Sequence, residues 1–370
     1  MTDTPAHLIK QLRSALMARA SEATVPGPIR HAGPIKSGCD ITAKDDGFHF
    51  AAYKDHSHKL FYVEWWYYNF TDPASGLTAM VTFAVCNPGN ELDLGTASLN
   101  FAAFTPEGQV DTDIEFYHVT HFSAEQDCAN VSIKGSSVTV LDDDTYHVVA
   151  ASSDGKIKFD LTFNRTGRSQ LLANDVPGYS AWEISSWLVY MPAAKVTGKV
   201  SVEGKDYELT DAKGYHDHDW GMWMLPERIW SWAQFSTDDH HTAFDIGFHA
   251  AFQKSTAYLK LGDKDIFFPQ DNFQSKQSDW DHWRVFWSYP KHVDFQAVDG
   301  TGQYELQLSW QVTDTSVLWK YPLIVFEQGC HFTGTLREVD PGNPGGGKVL
   351  EQIDTKGFCE YTDRWVGGGS

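Results

Sequence analysis

The sequence predicts an all-β protein of two antiparallel β-domains packed together, preceded by a short N-terminal helix. Three observations carry that prediction. From Phe61 onward, apolar and polar residues alternate in short runs bounded by Gly, Asp, Asn and Pro, the pattern of half-buried strands. No helical periodicity of convincing length lies between those runs, which argues against parallel β/α folds, whose crossovers are built from helices. Laid on itself at an offset near 165, the chain aligns Trp65 with Trp230, Tyr67 with Trp232, Asn69 with Gln234, Phe70 with Phe235 and Thr71 with Ser236, as two copies of one β-unit would. The copies meet near Leu225-Pro226. The expected division is therefore residues 1–41 for helix and linker, 42–225 and 226–366 for the two β-domains, and 367–370 for a flexible tail. No low-complexity linker separates the β-domains, so they are expected to pack together around a shared cleft.

Each element has its own warrant. Leu8, Ile9, Leu12 and Leu16 recur at helical spacing with Lys10, Arg13 and Arg19 on the other faces, which predicts one amphipathic helix over residues 5–22. A Pro/Gly stretch from Val25 to Gly38 then breaks regular structure. Strand patterns cover Leu77–Cys86, Ile114–Phe122, Tyr146–Ala151, Ile157–Phe163 and Ile184–Met191 in the first half. After Pro226 they cover Ile229–Phe235, His241–Phe252, Tyr258–Leu261, Trp283–Tyr289, Tyr304–Val312, Ile324–Leu336 and Gly357–Asp363. A Pro-Gly-rich loop follows at Asp340–Gly347, and the chain ends in Gly-Gly-Gly-Ser.

Composition narrows the function. Lys and Arg number 29 against 49 Asp and Glu, a formal charge of −20, which excludes a phosphate-backbone binder. With 14 Trp, 15 Tyr and 23 Phe but only 21% charged residues, the apolar surface is mostly flat rings, suited to walling a small-molecule cavity. No stretch approaches the roughly 20 apolar residues of a membrane span, and no signal peptide is recognisable. Five cysteines (Cys39, Cys86, Cys128, Cys330 and Cys359) lack the close spacing of a zinc site and read as reduced thiols of a cytoplasmic protein. Sequons at Asn69, Asn130 and Asn164 matter only in a secreted chain. None of this sets an oligomeric state.

Two motifs hold the chemistry. In Glu64-Trp65-Trp66-Tyr67-Tyr68-Asn69, alternation sends Glu64, Trp66 and Tyr68 to one strand face and Trp65, Tyr67 and Asn69 to the other. Both faces are aromatic, so both are expected to be covered, as a core strand or a ligand wall. In Gly214-Tyr215-His216-Asp217-His218-Asp219-Trp220-Gly221, Tyr215, Asp217 and Asp219 share one face, with His216, His218 and Trp220 on the other. Such a density of ionisable groups fits a catalytic centre or an inter-domain polar network. Asp238-Asp239-His240-His241 falls where a hairpin turn is expected and reads as a solvated loop. No metal, nucleotide or other cofactor is expected, because neither cluster has a metal-specific spacing and no phosphate loop, dinucleotide fingerprint or nucleophile elbow stands out.

Taken in order, Glu64-Trp65-Trp66-Tyr67-Tyr68, Gly214 to Gly221, Trp230-Ser231-Trp232-Ala233-Gln234 and Gly357-Phe358-Cys359-Glu360-Tyr361 resemble the carotenoid 1,2-hydratase (hydroxyneurosporene synthase) superfamily. The resemblance runs from about residue 60 to 362 and implies two lipocalin-like β-barrel domains. That superfamily includes carotenoid hydratases, fungal phytoalexin hydratases and Diels–Alder cyclases of polyketide and terpenoid pathways, so it implies architecture more firmly than reaction. Its catalytic Tyr-x-Asp pair falls on Tyr215 and Asp217. The upstream His and Trp that assist the pair in the hydratases have no clear counterpart in Glu183-Ile184-Ser185-Ser186-Trp187, which departs from a carotenoid-specific pattern and leaves Trp187 as a candidate.

The residues make an acid–base catalyst the leading expectation. Protonating an isolated alkene needs an acid that stays protonated near neutral pH, and a carboxyl in an apolar, ring-lined cavity is such an acid. Asp217 and Tyr215 are the expected catalytic residues. Glu64, Trp66, Tyr68, Asn69, His216, Trp220, Trp232 and Gln234 are expected to bind an apolar, isoprenoid-derived or polyene small molecule, with the faces of Trp66, Trp220 or Trp232 stabilising a cation. The alternatives are a pericyclase that orients a polyene through hydrogen bonds from Tyr215, Asn69 or Gln234, and a non-catalytic carrier of an apolar ligand.

Overall fold

A computed structural model describes residues 40–364, apart from 112–113, 179, 181, 224–229, 250–253, 285–286, 321–322 and 344. The expected helix at 5–22, the linker and the 367–370 tail lie outside the described residues. The chain forms two curled antiparallel half-barrel sheets, one of thirteen strands and one of nine. Ile157–Arg165 shows why these residues make strands: Ile157, Phe159, Leu161 and Phe163 are buried on one face, while Lys158 and Asp160 are exposed on the other. Each sheet closes over its own aromatic core, around Phe70, Phe83, Phe101 and Phe159 in the first and Phe235, Phe244, Phe295 and Phe332 in the second.

Both sheets repeat one topology. In each, the opening strand lies between the second strand and the closing strand: Tyr62–Thr71 between Thr78–Cys86 and Lys205–Met222, and Trp230–Ser236 between Thr242–His249 and Val349–Arg364. The duplicated unit read in the sequence is therefore visible as a duplicated sheet order, and its matched residues meet one another. The Trp65 and Trp230 rings stack at 6.1 Å, Tyr67 and Trp232 meet edge to face at 5.5 Å, and Gln234 donates to Asn69 at 3.0 Å. A buried cation fastens the same junction, with Lys213 Nζ donating to Thr355 Oγ1 at 2.6 Å and to the Lys356 carbonyl at 3.2 Å.

The structure differs from expectation in several places: Ser136–Asp142, Gln170–Pro177, Lys264–Pro269 and Phe273–Trp283 are strands outside the expected runs, and a 3-10 turn at Val119–His121 interrupts the strand expected over Ile114–Phe122. Thr96–Thr105 is a full central strand that periodicity missed, because Ala97, Ala102 and Ala103 carry little apolar contrast yet are buried where sheet contacts leave no room for larger side chains. The strand expected over Trp283–Tyr289 is instead a hairpin: Trp283 pairs with Trp287 across it, and Arg284 adopts a left-handed φ of 55°. Cys330 and Cys359 form a disulfide across neighbouring strands, which corrects the expectation of reduced thiols throughout; Cys86 and Cys128 are free. Asp238–His241 is the turn of the Trp230–Ser236 and Thr242–His249 hairpin. Among the described residues, no helix is long and apolar enough to cross a membrane.

Candidate active site

Tyr62–Thr71 and Lys205–Met222 run antiparallel in a register that pairs Glu64 with Trp220, Trp66 with His218, Tyr67 with Asp217, Tyr68 with His216 and Asn69 with Tyr215. Alternation then sorts the two motifs onto opposite faces. Glu64, Trp66, Tyr68, His216 and Trp220 point into the first sheet's interior and are all buried. Asn69, Tyr215 and Asp217 point to the junction, where Trp232 and Gln234 meet them from the second sheet. The single pocket expected of all ten residues is thus corrected to two separate clusters, because residues one apart on a strand face opposite ways.

The inward cluster is a closed polar network. His218 bridges two carboxylates, Nδ1 lying 3.0 Å from Asp46 and Nε2 lying 2.8 Å from Glu64. His216 Nε2 lies 2.9 Å from the other Asp46 oxygen, and Tyr62 donates to Glu64 at 2.6 Å. Burial alone would raise Asp46, but His216 and His218 outweigh it and hold the carboxyl at about 2. Burial likewise opposes a charged His218, and hydrogen bonds to Asp46 and Glu64 prevail and lift it to about 9. His49, Glu64 and His218 place ligand atoms within 4.8 Å of one another, the composition of a metal site. Those atoms are already matched donor to acceptor, so the same geometry is explained by an imidazolium locked between carboxylates.

The junction cluster differs in both respects: its carboxyls lie near one another with no cation among them in the described residues, and half-buried residues border it. Trp187 Nε1 donates to Asp217 Oδ2 at 3.0 Å, and the Tyr215 hydroxyl donates to the same oxygen at 2.8 Å. Asp217 Oδ1 accepts no side-chain hydrogen bond among the described residues. The Tyr215 oxygen also takes the Trp232 indole N–H at 3.3 Å and lies 3.3 Å from Asp245 Oδ2. A hydroxyl has one proton, and the shorter contact assigns it to Asp217, so the Asp245 contact calls for a proton on Asp245. Burial first, then the Asp217 carboxyl, push Asp245 well above the usual carboxylate range, in agreement with that assignment. Burial also lifts Asp217, to about 7, with the Glu360 carboxyl adding to it and the bonds from Trp187 and Tyr215 restraining it. Asp217, Tyr67, Tyr215, Trp232 and Asp245 are buried, whereas Trp65, Trp187, Asp219, Trp230 and Glu360 are half-buried around them. The arrangement is a cluster of aromatic rings around a buried acid of neutral-range midpoint.

No family model matches the chain, and no curated protein matches it. Solved structures do. A Nitrosomonas europaea protein assigned provisionally as an AttH superposes with a TM-score of 0.61 at 16% identity, covering 93% of this chain and 99% of that one. Kievitone hydratase from Nectria haematococca gives 0.59 at 13% identity, covering 92% and 97%. CghA gives 0.54 at 12% identity over the same shares. The fold is the lipocalin-like, two-domain β-fold that these three structures share.

Within this lipocalin-like frame, the second half of the chain supplies site residues that the sequence reading passed over. Asp245, Glu327 and Glu360 sit in strands whose local pattern is ordinary; Glu360 was legible only through the repeat, where it occupies the position of Asp217 opposite Trp232. Trp187 reaches Asp217 because position 247 is glycine: a Cβ there would lie 2.5 Å from the Trp187 ring carbons. Gly247→Val is therefore expected to displace Trp187 and remove one donor from the ionised carboxylate, raising the Asp217 midpoint above about 7. The pH dependence of the Asp217 carboxyl ¹³C shift checks this, and an unmoved midpoint would refute the Trp187 role.

Proposed function

We propose that this protein is an acid–base catalyst that protonates an alkene or conjugated system of an apolar, isoprenoid-derived or polyene substrate, leading to hydration or proton-initiated cyclisation. One observation carries the reading: both donors to Asp217 converge on Oδ2. The neutral carboxyl therefore carries its proton on Oδ1, the oxygen left for a ligand, at a midpoint near neutrality. The fold-sharing proteins include kievitone hydratase, which supports hydration, and CghA, a Diels–Alderase, which supports the concerted cycloaddition kept as the second reading.

The step follows from the residues. The Asp217 Oδ1–H proton passes to a terminal alkene carbon as the π pair forms the new C–H bond, leaving a tertiary cation. Trp187 and Trp232 stand beside the Tyr215–Asp217 pair, and an indole face turned to the cation would contribute up to about 2 kcal/mol when water is excluded. Trp66 and Trp220, expected in this role, face the other way. Water or an internal nucleophile then closes the cation, and the released proton restores Asp217. Tyr215 holds Oδ2 throughout and is kept protonated by burial.

Prenylated phenols and linear polyenes, incubated with the protein in deuterated water, test the reading by mass spectrometry and NMR. Carbon-bound deuterium in a hydrated or isomeric product is the expected result. A product without it would transfer the reading to a concerted cycloaddition, and binding without product would favour a carrier.

A further inference from the structure

The junction holds a second carboxyl unit that the hydration step does not yet use. Asp217 and Glu360 occupy equivalent positions in the two copies: Asp217 pairs with Tyr67 and Glu360 with Trp232, the residues that the internal repeat matches. Each accepts an indole N–H, Asp217 from Trp187 at 3.0 Å and Glu360 from Trp230 at 2.6 Å. Glu360 also stands directly opposite Glu327 on the neighbouring strand, so the two carboxyls face one another. Glu327 is 2% exposed and takes a hydrogen bond from Tyr67 at 3.3 Å, while Glu360 is half-buried at the rim.

The charge inventory sets the protonation of this pair. Among the described residues, the titratable groups that act on this pair are Tyr67, Asp217 and Asp219 from the first sheet; His216 lies behind, its ring on the Tyr67 carbonyl. Two facing carboxyls, one buried and one half-buried, with no cation beside them among the described residues do not both ionise, so the pair holds one proton at neutral pH. Burial, more severe at Glu327, assigns that proton to Glu327 and leaves Glu360 as the carboxylate at the accessible rim.

We infer that the Glu327–Glu360 pair is the base that complements Asp217, with Glu360 accepting a proton from the water that attacks the cation. The inference rests on the proposed acid role of Asp217. In balance, the Asp217 proton becomes the new C–H, a water lone pair forms the C–O bond, and Glu360 takes one proton from the oxonium. Both glutamates are then protonated and Asp217 is ionised, and transfer of one proton from the pair to Asp217 resets the site. The device uses the duplication, one copy supplying the acid and the other the base.

Glu360→Gln and Glu327→Gln test it in the full-length protein, with circular dichroism confirming the fold. The probes are the indole ¹H–¹⁵N signals of Trp230 and Trp187, followed by pH titration without substrate. In the wild type the Trp230 signal is expected to move in the range above the ordinary carboxylate midpoint, reporting the pair. In Glu360→Gln that movement disappears and the Trp187 midpoint falls below the wild-type value, because a negative neighbour of Asp217 is gone. With a prenylated phenol that turns over, kcat is expected to drop by about 10²-fold in Glu360→Gln with KM little changed. A Trp230 signal that is flat across that range, or a folded Glu360→Gln variant with wild-type kcat, overturns the base assignment and leaves the acid role of Asp217 standing. Full activity in Asp217→Asn is the separate outcome that removes the acid reading itself.

Discussion

Asp217→Asn is expected to fold as the wild type does and to lose turnover by about 10²–10⁴-fold, the range for a lost general acid. The amide keeps the shape of the carboxyl. Its oxygen still accepts from Trp187 and Tyr215, in place of an Oδ2 that the two donors now reach at 3.0 and 2.8 Å. What it lacks is a transferable proton on the second atom. The fold should not suffer, because a group lifted to about 7 by burial opposes folding once ionised. With a folded midpoint above the unfolded one, the favourable contribution of Asp217 is complete below about 4 and is lost as pH rises through about 7. Urea midpoints above neutral pH should therefore be equal to or higher in the variant than in the wild type. A pericyclic mechanism predicts a loss on the order of one hydrogen bond, about 0.5–1.5 kcal/mol. Stopped-time product assays separate a hundredfold loss from one of a few-fold, and the wild-type rate should fall as pH passes through about 7 and the acid ionises.

How much of this was legible in the sequence depends on the distance over which each feature is encoded. Strand alternation is local, and it located most strands because Ile157 to Phe163 and similar runs carry their burial pattern within a few residues. Thr96–Thr105 was hidden because its environment selects small side chains, and periodicity reads contrast rather than size. The Tyr215/Asp217 face was legible, because alternation within Gly214–Gly221 is also local. Its surroundings were not: Asp217 owes its midpoint first to burial, then to Trp187, thirty residues away, which restrains it, and to Glu360, which adds to it, and none of these is visible until the sheets curl together. The repeat was the one long-range signal in the chain. It matched Trp65, Tyr67 and Asn69 to the residues they touch, and followed one strand further it leads from Asp217 to Glu360.

His218→Leu probes the inward face and is expected to cost stability rather than chemistry. His218 is fully buried between Asp46 and Glu64, and its removal leaves two carboxylates inside an aromatic core without their shared cation. Breaking a buried pair in this way costs about 3–5 kcal/mol, visible as a lower urea midpoint with an unchanged slope. The pH dependence identifies the cause. A His218 midpoint of about 9 in the folded state, above that of a free histidine, means stability present in full below about 6.5 and lost as pH rises through about 9. Asp46, held at about 2, contributes above about 4 and loses that contribution as pH falls toward 2. The wild type should therefore weaken at both ends. In His218→Leu the alkaline loss should vanish, and stability should improve on acidification, since Asp46 and Glu64 then gain by protonation. Adding Asp46→Asn and Glu64→Gln should recover part of the loss by removing the stranded charges. Because this network lies across the strand from Asp217, the folded variant should keep KM within a few-fold of the wild type. A large KM change with intact stability would instead return Glu64, Trp66, Tyr68, His216 and Trp220 to the substrate-binding role that the sequence first suggested.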